Sequence, residues 1–272
     1  MTSDSQLYNE AMKMLEKTSR TFFIPISLLP PKLKEAVASS YLCMRAIDEI
    51  EDHAHLNKDV KVRLLKKIKE LSQIPFRYRE LEELLRPYKQ DLPEVTLRLG
   101  DWIRFCPASA LERVLAATRK MASGMANWVE KEFKVRTEKD LDEYTYYVAG
   151  LVGELLSDLW YWYDKIETDK ILAVAFGRGL QAVNMIRNRK EDLARGGVDF
   201  FPENWNMDDM FAYAKRNLKK AEEYVKTINK GPILHFCQIP LALAKGTLEA
   251  IEKGKEKLSR EEVIAIVNKV CG

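Results

Sequence analysis

Histidine, cysteine and long apolar runs are all scarce in this chain. Three histidines are too few for an imidazole-based metal centre to be expected. The four cysteines, Cys43, Cys106, Cys237 and Cys271, lie far apart and form no CxxC pair. They read as free thiols of a cytosolic protein, not as a disulfide frame or a zinc site. No stretch reaches the roughly 18 uncharged apolar residues of a membrane span. The opening MTSDSQLYNE lacks the basic-then-apolar order of a signal peptide, so a cytoplasmic protein is expected. Neither sign of charge dominates: 44 basic and 41 acidic residues leave +3, which argues against nucleic-acid binding by bulk electrostatics. No GxGxxG follows a strand pattern, so a bound NADPH is not expected.

What is present is helical pattern almost throughout. Hydrophobic residues make up 46% and charged residues 31% of 272 residues, the balance of a folded chain able to bury a core. Apolar residues recur at three- and four-residue spacing. The predicted helices cover about 4–17, 31–52, 57–72, a segment after Pro75, 91–105, 110–132, 138–164, 168–192, 207–230, 233–253 and 259–270. Pro31 suits a first helical turn, Asn57 a cap, and Thr137 with Asp140 a capping box. Breaks are expected at Gly150 and Gly153, and IPISLLPP reads as a proline-punctuated turn. No linker or repeat divides the chain. The expectation is one all-α domain, 1–272, a helical bundle around a cavity.

Two stretches carry chemistry. AIDEIEDHAH holds four carboxylates in five residues. Asp48 and Asp52 are four apart, on one helical face, with Arg45 and Tyr41 on the same stripe. The preceding AVASSYLCM carries no charge, which points to a buried helix whose polar stripe lines a cavity. Paired carboxylates there suit a hard cation, Mg²⁺ where phosphate supplies further ligands. An isolated Asp-x-x-x-Asp is more often a solvated helix end paired with nearby cations. The second stretch, ILAVAFGRGLQAVNMIRNRKED, also begins almost uncharged. Gln181, Asn184, Asn188 and Asp192 then fall on one face, with Arg187 three after Asn184. Two such stripes, if they faced each other across a bundle, would make a metal-lined pocket.

Four segments in order resemble the squalene/phytoene synthase family: SRTFFIPISLLP (19–30), YLCMRAIDEIED (41–52), YTYYVAGLVGEL (144–155) and QAVNMIRNRKEDLARGGVDFFPE (181–203). The resemblance covers nearly the whole chain and extends to the small Bacillus-type members assigned a farnesyl diphosphatase role. It implies an isoprenoid synthase fold with a central cavity for a prenyl diphosphate. It implies Mg²⁺ held by Asp48, Asp52, Asn184 and Asp192, with Ser19, Arg45 and Arg187 on the diphosphate. Phe22, Tyr41, Tyr144, Val148, Ala149 and Gly150 would line the prenyl tunnel, though small residues at 149 and 150 equally suit close helix packing. Gln181 belongs to the same second motif.

One departure stands out. Position 188 is Asn where the family pattern has Asp, which keeps the shape but removes a charge. Asn188 can still offer its amide oxygen to Mg²⁺ directly or through water. A weaker second metal face would favour ionisation of one farnesyl diphosphate and capture by water, giving farnesol and diphosphate. That is the leading expectation. The alternatives are head-to-head condensation to dehydrosqualene or squalene, cyclisation, and a non-catalytic prenyl-binding protein on a synthase scaffold. Peripheral contact with a membrane, where prenyl products partition, is compatible with the sequence but not marked in it.

Overall fold

The computed structural model describes residues 4–196, 198–229 and 231–271, without the side chains of 4, 20, 195, 196 and 271. The Arg20 side chain of the entry motif, Gly197 of the loop and the Cys271 thiol therefore lie outside the described residues. The described residues hold α-helices, one 3₁₀ turn and one π-helical turn, and no strand. The backbone forms two compact units, Met1–Glu132 and Phe133–Gly272.

The first unit contains α1 (Asp4–Thr18), α2 (Arg20–Ser27), α3 (Pro31–Glu51), α4 (Lys58–Leu71), α5 (Tyr78–Leu85), α6 (Glu94–Leu97), α7 (Leu99–Phe105) and α8 (Leu111–Glu130). Helix α3 starts with Pro31, whose missing N–H costs nothing there, and runs through small and apolar residues. Ala36, Ala38, Ala46 and Leu42 are fully buried, so α3 is the packing axis of the unit, against α1, α6, α7 and α8. Two polar contacts tie it to its neighbours: the Ser39 hydroxyl donates to the Trp102 carbonyl at 2.7 Å, and the Ala46 carbonyl accepts from Thr96 at 3.0 Å. Asn57 caps α4 by accepting from the Val60 amide at 2.9 Å, as predicted. Two expectations are corrected. IPISLLPP begins inside a two-turn helix, α2, which tolerates Pro25 because so short a helix loses only one hydrogen bond there. The predicted 91–105 helix is two short ones, joined at Arg98.

The second unit contains α9 (Glu138–Thr145), a π-turn (Tyr146–Gly150), α10 (Leu151–Asp164), α11 (Lys170–Gly196), α12 (Met207–Lys226), α13 (Pro232–Glu252) and α14 (Arg260–Cys271). The Thr137–Asp140 capping box is present. The predicted break in 138–164 is the π-turn ending at Gly150. Thr168 does not start α11. The Asp169 carboxylate caps it instead, accepting from the amides of Ile171 at 2.7 Å and Leu172 at 3.3 Å. Helix α11 packs on α10, α12 and α13. Its approach to α10 is so close that a Cβ at Gly153 would sit 2.1 Å from the Ala173 carbonyl oxygen, and one at Gly177 2.2 Å from that of Ala149.

Candidate active site

The acidic stretch forms a cluster at the C-terminal end of α3. Asp48, Glu51 and Asp52 each offer a carboxylate oxygen, all within 4.8 Å of one another. Asp48 accepts from Arg45 Nη1 at 2.6 Å, while Arg45 Nη2 donates to Glu49 at 2.5 Å. Glu51 is only 1% exposed. One of its oxygens, Oε1, is buried without a hydrogen-bond partner, and its carboxyl shares a hydrogen bond with Asp52. Burial, and then the Asp52 charge, push Asp48 up to about 7. Burial also raises Glu51 well above the usual carboxylate range, with the charges of Asp52 and Asp48 adding to it. Asp52 is raised mainly by the protein packed against it, an effect that solvent limits because this residue caps the helix at the surface. Lys61 spends a hydrogen bond on the Glu51 backbone carbonyl at 2.6 Å.

This donor set fits a hard divalent cation. It is all oxygen, its acids crowd one another, and one buried oxygen has no partner. A cation among them would relieve both the repulsion and the unsatisfied acceptor. Sequence reasoning missed Glu51, because it lies on the apolar side of a stripe drawn at four-residue spacing. Its signal was its place three residues after Asp48, which on a helix is also a neighbour.

Around this cluster, Ser19 caps α2, accepting from the Phe22 amide at 3.1 Å. The Tyr41 hydroxyl donates to the Thr18 carbonyl at 3.2 Å, and its ring lies 6.1 Å from that of Phe22. Helices α2 and α3 thus bring Phe22 to Tyr41, while Arg45, one turn further along α3, reaches Asp48.

In the second unit, α11 carries the other stripe. Gln181, Asn184, Asn188 and Asp192 are all partly buried along it. Arg187 binds the stripe to itself: its guanidinium donates to Asn184 Oδ1 at 2.5 Å and to Asn188 Oδ1 at 3.0 Å. Asn188 Nδ2 also donates to Asn184 Oδ1, at 3.3 Å. A cation taking these amide oxygens has to compete with Arg187 for them.

Tyr144 is buried, and its ring stacks on Phe200 with centroids 4.9 Å apart and planes 15° from parallel. Phe133 meets both rings edge-on. Val148 and Ala149 are half-buried in the π-turn. Gly150 is buried, and a Cβ there would lie 3.0 Å from the Val174 side chain, so helix packing alone accounts for its small size. The loop after α11 is held by Arg189, which sequence reasoning also passed over. Its guanidinium pairs with both Asp199 oxygens, at 3.3 and 2.7 Å, and lies 3.9 Å over the Phe201 ring.

Comparison with known proteins gives the chain's family and its fold. The squalene/phytoene synthase family model matches residues 15–208. The chain is 28% identical to the squalene synthase of Homo sapiens over 94% of its own length and 67% of that protein's. Its backbone superposes on TcSQS, solved with a ligand, with a TM-score of 0.80 at 23% identity, over 96% of this chain and 85% of that one. A dehydrosqualene synthase solved with a ligand gives 0.63 at 21% identity, over 98% and 96%.

Proposed function

Because the chain belongs to the squalene/phytoene synthase family, we propose that it joins two farnesyl-type diphosphates head to head, forming dehydrosqualene or squalene. The observation that carries this reading is the family match over residues 15–208, which contains both polar stripes and the acid cluster. The relatives' names are those of synthases. They give no support to the expectation that Asn188 turns the scaffold into a farnesyl diphosphatase, so condensation takes its place.

In this reading Asp48, Glu51 and Asp52 hold Mg²⁺, and Asn184, Asn188 and Asp192 form a second ligand set. Mg²⁺, when bound, supplies positive charge to the departing diphosphate. The chain's own residues do the rest. Arg45 and Arg187 offer guanidinium donors to diphosphate oxygens, for which the planar fork is suited. The buried Tyr144 ring, stacked on Phe200, offers an allylic cation an aromatic, water-poor surface. Dehydrosqualene needs no reductant, whereas squalene needs NADPH, so the product with and without NADPH distinguishes the two.

Asp48→Ala and Asp52→Ala test the first ligand set. Each is expected to lower diphosphate release from farnesyl diphosphate at least about a hundredfold, the scale of losing one electrostatic stabiliser of a developing charge. Near-full release in either variant overturns the assignment.

A further inference from the structure

The clasp between Arg189 and the loop after α11 has no place in the ligand sets above. Arg189 lies one residue beyond Asn188 and reaches the 198–201 segment, beside Asp192. Its guanidinium makes a two-point pair with Asp199 and covers Phe201. Asp199 also accepts from the Phe201 amide at 3.1 Å, which closes the turn on itself. A second tie, from the Glu203 amide to the Arg136 carbonyl at 3.1 Å, fixes the far end of the loop. Phe200 is left between these anchors, lying flat on Tyr144. Met185, Arg189, Asp192, Val198, Asp199, Phe200 and Phe201 line one narrow cleft, so the loop covers the Asp192 end of the stripe.

We propose that Arg189 is a positioning residue for product fate: by clasping Asp199 it holds Phe200 on Tyr144, and this aromatic wall keeps water from the allylic cation. The proposal rests on the condensation reading. When the C–O bond breaks, its electron pair leaves with the diphosphate. Water reaching the cation would form a new C–O bond through its oxygen and lose one proton, giving the prenyl alcohol. A second prenyl diphosphate reaching it instead forms a carbon–carbon bond through its double bond and loses a proton. Departure of its own diphosphate and loss of a second proton then give dehydrosqualene, and hydride from NADPH in place of that second proton loss gives squalene. Stacked rings held by a two-point ion pair favour the second outcome by excluding the first nucleophile.

The test compares wild type with Arg189→Gln, Arg189→Lys and Phe200→Ala, using farnesyl diphosphate and Mg²⁺. Total diphosphate release and the ratio of alcohol to hydrocarbon are read separately. Arg189→Gln and Phe200→Ala should raise that ratio at least about fivefold while total release stays within about twofold of wild type. Arg189→Lys, which keeps one charge-assisted bond, should fall between. A merely structural role would lower release without moving the ratio, and an unchanged ratio in folded Arg189→Gln overturns the proposal. If Arg189→Gln does not fold, Phe200→Ala decides alone, because Phe200 is only half-buried. Alcohol as the sole wild-type product would instead defeat the condensation reading. Amide exchange at Phe201 then judges the clasp: faster exchange in Arg189→Gln retains it, and unchanged exchange overturns it.

Discussion

At the scale of single residues, Asp48, Glu51 and Asp52 bind protons more tightly in the folded chain than in an unfolded one. A carboxyl raised by folding makes the metal-free protein lose stability as pH rises from about 4, the ordinary Asp value. For Asp48 the loss is complete only above about 7. For Asp48 the effect is on the order of a few kcal/mol. We expect thermal unfolding in EDTA to show Asp48→Asn more stable than wild type near neutral pH, with the gap closing below about pH 4. Added Mg²⁺ should raise the wild-type midpoint at neutral pH and leave Asp48→Asn less affected. Equal Mg²⁺ responses would show that the cation does not bind here. Asn188→Asp is expected to lower the Mg²⁺ concentration for half-maximal activity by about tenfold, since a carboxylate competes better than an amide for the metal and against Arg187. An unchanged Mg²⁺ titration would remove Asn188 from the ligand set. Asp48 and Asp52 were legible because their four-residue spacing on an uncharged helix is a local pattern. Glu51 was not, because its burial depends on what packs against α3. Neither was the partner of Arg187, since spacing shows which residues share a face but not which side chains satisfy one another.

At the scale of elements, the second unit depends on the contact between the π-turn with α10 and α11. Gly177→Ala would put a methyl group 2.2 Å from the Ala149 carbonyl oxygen, so backbone must move. The expected cost is about 3 kcal/mol, the upper end for overpacking. Gly100→Ala is the control in the first unit, because its new Cβ would meet only side-chain atoms at 3.5 and 3.6 Å. Helix propensity should make that change neutral or stabilising by up to about 1 kcal/mol. Chemical denaturation of the two variants checks both, and equal midpoints would mean that α11 has room to shift. Most helices here could be read from periodicity and from caps such as Asn57 and the Thr137–Asp140 box, which are signals carried within a few residues. The elements misread were α2, the break at Arg98 and the start of α11. A short helix containing proline, a one-residue interruption and a choice between neighbouring caps differ by single hydrogen bonds, too little for pattern to decide.

At the scale of the whole molecule, fold class was legible because scarce glycine and proline and sustained helical periodicity leave few alternatives to an all-α chain. The ordered motifs at 19–30, 41–52, 144–155 and 181–203 pointed to the family, and the match over 15–208 places the chain there. Reaction outcome was the least legible property. One neutral amide at 188 suggested water capture, yet product fate depends on which nucleophile reaches the cation, a property of the assembled cavity rather than of one side chain. The most direct measurement incubates purified protein with farnesyl diphosphate and Mg²⁺, with and without NADPH, and identifies extracted products by gas chromatography–mass spectrometry. A head-to-head hydrocarbon, dehydrosqualene or squalene, abolished by EDTA, is the expected product. Farnesol as the only product would contradict it.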